Sequence, residues 1–289
     1  MAAPDPESPV TRVEVAVDTR APGGTTNAYL AAGLLVDPAA RTDALDAAIG
    51  IDGAGGNGTE NVAVDAIAVT HTHPDHVGAV AAYADLTGAP VFAHADHVDR
   101  FAGETGVEPD GTFRDGDRVG DAPVRAIERP GHAPDHVAFA VESESECGRG
   151  AGEGTVRELL CGDLAVAEGS VVVGAPEGDL RDYLDSLERV RDADYARLYP
   201  GHGPAVDDPV PVCGRLIDHR LDRERAVLGA VEAGADDVDA VVDAAYEKDL
   251  TGVADLARAT VVADLEKLLA EGRIGREWAD RIDGEAPDE

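Results

Sequence analysis

Residues 70 to 76 read Thr-His-Thr-His-Pro-Asp-His. His71, His73, Asp75 and His76 gather three imidazoles and a carboxylate on one short stretch, a density of metal-binding donors that packing does not require. Residues 62–69 upstream are rich in Val, Ala and Ile, and downstream Val77, Val80, Ala81 and Ala84 recur at helical spacing. The donors therefore sit on a loop from strand to helix. Side chains two apart on extended backbone project to the same side, so His71 and His73 can grip one ion. Asp75 and His76, beyond Pro74, can address a second, and two metals are expected.

The order His-x-His-x-Asp-His closing a strand resembles the metallo-β-lactamase superfamily. That resemblance implies further ligands in matching contexts. His132 in Pro130-Gly131-His132 matches the third ligand of the first metal. Asp163 in Cys161-Gly162-Asp163 matches the bridging carboxylate, and His202 in Tyr199-Pro200-Gly201-His202-Gly203-Pro204 matches the last histidine of the second metal. Each lies at a strand end beside Gly or Pro, where backbone can approach an ion closely. Asp37 matches a residue behind the metal loop and reads equally well as an Asp-Pro turn. Asp135 and His136 either orient the site or cap a strand. The cluster His94-Ala95-Asp96-His97 falls outside the family's ligand positions and reads as a solvated loop, and Cys161 reads as an apolar core residue.

The elements that must position these residues follow from pattern. Strands are expected at residues 10–17, 27–30, 33–36, 90–94, 124–127, 136–141, 156–161, 171–173 and 197–199. Helices are expected at 41–50, capped by Thr42 or Asp43, and at 179–190, capped by Asp179. The Gly-rich stretch 52–60 reads as a flexible connection, 142–155 as a long hairpin loop, and 1–9 as a frayed arm. Alternation of strand and helix gives an α/β class; the resemblance supplies the αβ/βα sandwich with metals at one rim.

Residues 1–208 are expected to form this catalytic domain, with Pro204, Pro209 and Pro211 marking a linker. Residues 209–289 then carry three helical patterns, and 273–282 could form a wing, which together make a small winged-helix-like domain. This tail, with His202, resembles the lactamase-beta-2-like branch, in which Asp218-His219-Arg220 and Arg223-Glu224 fall on the matching helix.

The chain has 58 acidic and 24 basic residues for a net charge of -34, spread along its length. Such self-repulsion is tolerable in high salt, and the composition resembles that of salt-adapted proteins. Clustering of the acids, which a surface for a basic partner would require, is absent. Cys147, Cys161 and Cys213 offer no disulfide framework, and the first residues do not read as a signal peptide. No apolar run approaches membrane-spanning length. A cytoplasmic location is the expectation.

Two divalent ions about 3.5–4 Å apart can share a bridging hydroxide, so hydrolysis is the expected reaction. Asp75 would orient the nucleophile, and His219 and Arg220 would hold a substrate anion or protonate the leaving group. The imidazole-rich set favours zinc, with iron or manganese as alternatives. A carboxylate is usual at His73 in the superfamily's di-iron oxygen reductases, sulfur oxidisers neglect the second ligand set, and true β-lactamases usually lack the bridging Asp. What remains is a small ester or thioester, as for the related hydroxyacylglutathione hydrolases, or single-stranded RNA, which the lactamase-beta-2-like resemblance implies. The charge weighs against RNA, although Arg215, Arg220, Arg223, Arg225, Arg273 and Arg276 could form a local patch. A winged-helix DNA-binding regulator is the non-enzyme reading, opposed by Asp236, Asp237, Asp239 and Asp243. A homodimer through the C-terminal helices is left open.

Overall fold

Alternating side chains lay down β1 (Val10–Ala16), antiparallel to β2 (Thr25–Ala31), which turns back antiparallel into β3 (Leu34–Val36). β4 (Ala66–Ala68) runs parallel to β3 and completes a four-stranded sheet in the order β1-β2-β3-β4. The computed structural model describes residues 9–51, 64–145, 154–246 and 249–283. Its contacts divide into two units, the first comprising Met1–Glu128, Asp135–Glu168 and Asp194–Pro209. This unit holds a second sheet from β7 (Val124–Glu128), β8 (Val137–Ser145), β9 (Gly154–Gly162) and β10 (Arg197–Pro200). Its order is β10-β9-β8-β7, with only β9 and β10 parallel. β5 (Phe92–His94) and β6 (Gly111–Phe113) form a parallel pair, tied to β4 by a bridge between Ile67 and Val91.

The two larger sheets face each other. Tyr29, Leu34, Val36 and Ala68 of the first share a core with Val124, Phe139, Val141, Leu160 and Tyr199 of the second. Period two sends Leu35 and Ile67 to the opposite face. There they meet Leu45 of α1 (Asp43–Ala48), Val80 and Tyr83 of α3 (Val80–Thr87), and Phe101 of α4 (Val98–Thr105). Thr42 caps α1, its hydroxyl accepting from the Leu45 amide. Parallel neighbours end at the same edge, so β3 and β4 deliver their last residues to one rim, and β9 and β10 do likewise.

The second unit comprises Arg129–Pro134, Gly169–Ala193 and Val210–Glu289. It contains α5 (Leu180–Asp192), α6 (Pro209–Glu232), α7 (Val238–Ala245), α8 (Ala254–Ala270) and α9 (Trp278–Asp283). Asp179 caps α5, accepting from the amides of Arg181 and Asp182. Val227, Val241, Val261, Leu265, Leu268 and Trp278 form the core of the C-terminal helices.

Several expectations are corrected. The wing is absent among the described residues: the segment becomes α9, because Trp278 is buried in the helical core and Ile282, one turn on, packs beside it. Pro209 and Pro211 do not mark a linker but open α6, where the missing amide protons would be unsatisfied anyway. Residues 171–173 join no strand, since the Val171 carbonyl accepts from Arg220 and the Val172 carbonyl from His132. The hairpin ladder runs deeper than the expected 142–155 loop, pairing Glu142 with Arg157 and Ser145 with Gly154. The expectations for residues 52–60, for Cys147 and for the arm up to residue 8 lie outside the described residues. No helix among the described residues is long and apolar enough to cross a membrane.

Candidate metal centre

Four strand ends of the first unit build the site. β4 leads into the 70–76 loop and α2 (Pro74–Val77), β9 into Asp163, β10 into His202 and β3 into Asp37. One donor atom each from His71, His76 and Asp163 lies within 4.8 Å of the others, and the same holds for Asp75, His76 and His202. His202 Nε2 lies 3.3 Å from Asp163 Oδ2 and 3.6 Å from Asp75 Oδ2. The rings of His71 and His73 meet edge to face at 4.6 Å, and those of His71 and His76 lie 4.2 Å apart. His71, His76 and Asp163 are buried, while His73 and Asp75 are half-buried.

The hydrogen bonds fix which nitrogen of each ring faces inward. His76 Nδ1 lies 3.0 Å from Asp37 Oδ2, and His202 Nδ1 lies 2.8 Å from the Thr25 carbonyl oxygen. Neither partner can donate, so both Nδ1 atoms carry a proton and it is Nε2 of each ring that faces inward. The buried His76 Nε2 has no hydrogen-bond partner among the described residues and stands 3.8 Å from Asp163 Oδ1. An Nε2 atom set against a carboxylate calls for positive charge between them, which either a second proton on the ring or a divalent cation supplies. The donors therefore fit the ions that the motif predicts. The imidazoles show the same demand. Burial lowers the basicity of His76, but Asp37 at its Nδ1, with Asp163 and Asp75, outweighs this and carries its pKa up to about 9. For His202, burial is outweighed by Asp163 and the Thr25 carbonyl, and its pKa also rises.

Asp37 holds two parts of the loop at once. Beyond His76, its carboxylate accepts from the Thr70 amide at 2.6 Å and the Thr70 hydroxyl at 2.8 Å. Thr70 Oγ1 thereby has a lone pair for His71 Nδ1, 3.1 Å away. The backbone of Asp37 lies at φ 51°, a left-handed conformation that Asp tolerates better than most residues. Gly201 is required by space: a Cβ there would strike Asp163 Oδ1 and sit 2.7 Å from His76 Cε1.

Other residues of the site carry no ligand signature. Asn27 donates to the carbonyls of Pro200 and Gly203 at 2.9 and 2.8 Å, and Arg12 donates to the Gly203 carbonyl at 2.6 Å. Together they hold the turn bearing His202. The Thr19 hydroxyl donates to Asp75 Oδ2 at 2.5 Å. A buried Asn in an apolar strand is a readable signal; Thr19, in a loop far along the chain, gives none.

His132 belongs to the second unit, where its Nδ1 is 2.7 Å from the Val172 carbonyl oxygen and its Nε2 keeps the lone pair. His219, on α6, is exposed; partial burial and then Arg220, Arg223 and Arg215 lower its pKa, so it is neutral at pH 7. Arg220 is buried and donates to the Val171 carbonyl. In the 94–97 cluster, His94 is not solvated but bonded to Glu128 at 2.8 Å, and Asp96 pairs with Arg114.

A family profile described as the metallo-beta-lactamase superfamily matches residues 21–146. A Drosophila melanogaster protein named beta-lactamase-like protein 2 homolog is 30% identical over 227 residues, 74% of this chain and 72% of that one. A Caenorhabditis elegans protein of the same name is 32% identical over 174 residues, 58% of this chain, so the match spans about half (52%) of that relative's length. Among solved structures, a metallo-beta-lactamase family protein from Thermus thermophilus superposes with a TM-score of 0.69 at 25% identity, over 92% of this chain and 95% of that one.

Proposed function

The chain belongs to the metallo-β-lactamase superfamily, whose members are in general metal-dependent hydrolases, and from that premise we propose a dinuclear centre that hydrolyses a small ester or thioester. Asp75, His76 and His202 would hold one ion, and His71 and His73 the other, for which the family resemblance implies His132 as the third ligand, with Asp163 available to both. Zinc suits so imidazole-rich a set, iron and manganese being the alternatives. The observation that carries the reading is the pair of inward-facing Nε2 atoms of His76 and His202, each set against a carboxylate. Two bound divalent ions supply a nucleophile from water at neutral pH and polarise the scissile carbonyl.

The chain's own residues supply orientation. Thr19 fixes the rotation of the Asp75 carboxylate through Oδ2, and in this reading the other oxygen accepts from the attacking water and aims it. His219, neutral and flanked by arginines, is the second unit's candidate for holding an anionic leaving group.

A small acyl substrate is favoured over RNA by where the second unit spends its arginines. Arg215 donates to the Gly169 carbonyl and Arg220 to the Val171 carbonyl. Arg223 donates to the Ala245 carbonyl at 2.6 Å while lying 3.7 Å over the Tyr246 ring. Arg225 pairs with Asp222, and Arg273 lies 3.7 Å from Glu224. Arg215, Arg220 and Arg223, engaged with backbone carbonyls, are poorly placed to release counterions from phosphates, and a net charge of -34 opposes that binding further.

The test compares metal-loaded protein in molar KCl on acyl-glutathione thioesters, read by thiol release, and on end-labelled single-stranded RNA. His73→Ala protein purified identically is the control. Thioester cleavage that His73→Ala lowers by more than ~100-fold is expected, beyond the loss of a group that merely supports a ligand. RNA cleavage by the wild type alone would overturn the substrate class, and no cleavage of either would overturn the hydrolase reading for these substrates.

A further inference from the structure

Three consecutive residues at the entry to β8 each bind a different peptide of the metal rim. The Asp135 carboxylate accepts from the Thr72 amide at 3.0 Å. His136 Nε2 accepts from the Asp163 amide at 3.1 Å, and the Val137 amide donates to the Thr70 carbonyl at 2.7 Å. Thr70 and Thr72 continue the end of β4 in the first sheet, whereas Asp163 follows β9 in the second. The tripeptide thus ties together the ligand-bearing ends of the two sheets.

We propose that Asp135 and His136 are positioning residues for the metal centre, Asp135 for the His71–His73 peptide and His136 for the Asp163 turn. This inference rests on the dinuclear reading above. Thr72 is the peptide between the two histidines, and it is gripped twice: its amide by Asp135, and its hydroxyl by Arg100 Nε at 2.7 Å. The same Nε lies 3.4 Å from Asp135 Oδ1, so the Arg100 guanidinium compensates a carboxylate that is only 5% exposed. With both ends of Thr72 held, neither histidine can swing away without breaking a buried hydrogen bond.

His136 acts on the other side. A backbone amide can only donate, so His136 Nε2 must present its lone pair and the ring proton resides on Nδ1. The ring is 1% exposed. Gly162 at φ 50° passes so close that a Cβ there would lie 2.8 Å from His136 Nε2 and 2.7 Å from the Thr70 side chain. The turn presenting Asp163 is therefore fixed by one hydrogen bond and by the absence of room to move. Neither Asp135 nor His136 belongs to the set of candidate ligands. Their effect is on the geometry, and hence the affinity, of the groups that do.

The experiment measures Zn2+ binding by competition with a chromophoric chelator, and the visible absorption of the Co2+-loaded protein, for wild type and four variants. His136→Leu and Asp135→Ala remove the acceptors; His136→Gln and Asp135→Asn keep one at the same reach. Expected is a loss of ~10–100-fold in affinity for at least one ion in His136→Leu and in Asp135→Ala, with an altered Co2+ spectrum, and substantial recovery in the Gln and Asn variants. Circular dichroism melts of the metal-depleted proteins report folding, and should His136→Leu or Asp135→Ala fail to fold, the Gln and Asn variants decide. Their binding both ions with an unchanged Co2+ spectrum then supports the inference, and a loss as large as ~10-fold despite the retained acceptor overturns it. Wild-type affinity and spectrum in a folded His136→Leu would overturn the inference while leaving the dinuclear reading intact. A wild type that binds fewer than two ions would overturn both.

Discussion

At the scale of single residues, the site depends on which atom of each ring faces inward, and substitutions that change a proton's position should matter more than those that change volume. Asp37→Asn is the sharpest case. Oδ1 accepts from the Thr70 amide, while Oδ2 accepts from both the Thr70 hydroxyl and His76 Nδ1. An Asn that keeps its oxygen toward the amide must point its NH2 at His76, which moves the imidazole proton to Nε2 and removes the inward lone pair. Asp37→Asn is expected to fold and to lose affinity for the His76 ion by ~10–100-fold, read by chelator competition; equal affinity would refute the tautomer assignment. Gly201→Ala tests space instead. Its Cβ would press on Asp163 and His76, so metal affinity should fall by a similar ~10–100-fold with a stability cost of ~1–3 kcal/mol. Gly214→Ala, in α6 with nothing within 4 Å of the added methyl, is the control and should be stabilising by ~0.5–1 kcal/mol in urea melts.

At the scale of elements, α6 and α8 bring a buried charged cluster together in the second unit. Lys267 bridges Glu224 and Glu271 at 2.7 and 2.8 Å, while Asp264, 1% exposed, has no hydrogen-bond partner for either oxygen among the described residues. Burial, opposed by Arg220 and reinforced by Glu224, pushes the Asp264 pKa up to about 7 from 3.8. The folded state then holds a proton that the unfolded state releases. This contribution to stability is fully present below pH 3.8 and is lost as pH rises through about 7. Asp264→Asn should therefore gain ~1–3 kcal/mol over wild type at pH 8 and little at pH 4, measured as the difference between urea melts; a difference independent of pH would rule this out. Such an element is only half legible from pattern. Apolar periodicity locates α6, α7 and α8, and the strand-end histidines and carboxylates are readable because metal chemistry demands rare residue types at fixed spacing. The wing is misread because Trp278 and Ile282 fit a helix turn as well as a hairpin, and burial decides between them. Residues 171–173 are misread because Val-Val-Val favours a strand, yet side chains from elsewhere in the chain claim its carbonyls. Thr19 and Arg100 cannot be read at all, since their roles arise only from contacts distant in sequence.

At the scale of the whole molecule, 58 acids face 24 bases, so one-to-one pairing would still leave the net -34 uncompensated. The surface ion pairs do little to offset this. Asp96 with Arg114, Asp185 with Arg189 and Asp222 with Arg225 all join side chains more than half exposed, where such pairs contribute only ~0–1 kcal/mol each. The acids are distributed over both units rather than gathered in a tail, so repulsion acts on each folded unit as a whole. In 0.1 M salt the screening length is about 10 Å, comparable with the spacing between neighbouring surface charges, whereas at 1 M it is about 3 Å and the repulsion is largely cancelled. Raising KCl from 0.1 to 2 M should therefore stabilise the protein by ~3 kcal/mol, a rise in melting temperature of about 10 °C, with most of the gain reached by ~1 M. NaCl at equal ionic strength should reproduce the early part of that gain, because screening depends on ionic strength rather than on the identity of the cation. A flat or falling melting temperature would mean that the acidic surface is not a source of instability at low salt, and the salt-adapted reading of the composition would go with it.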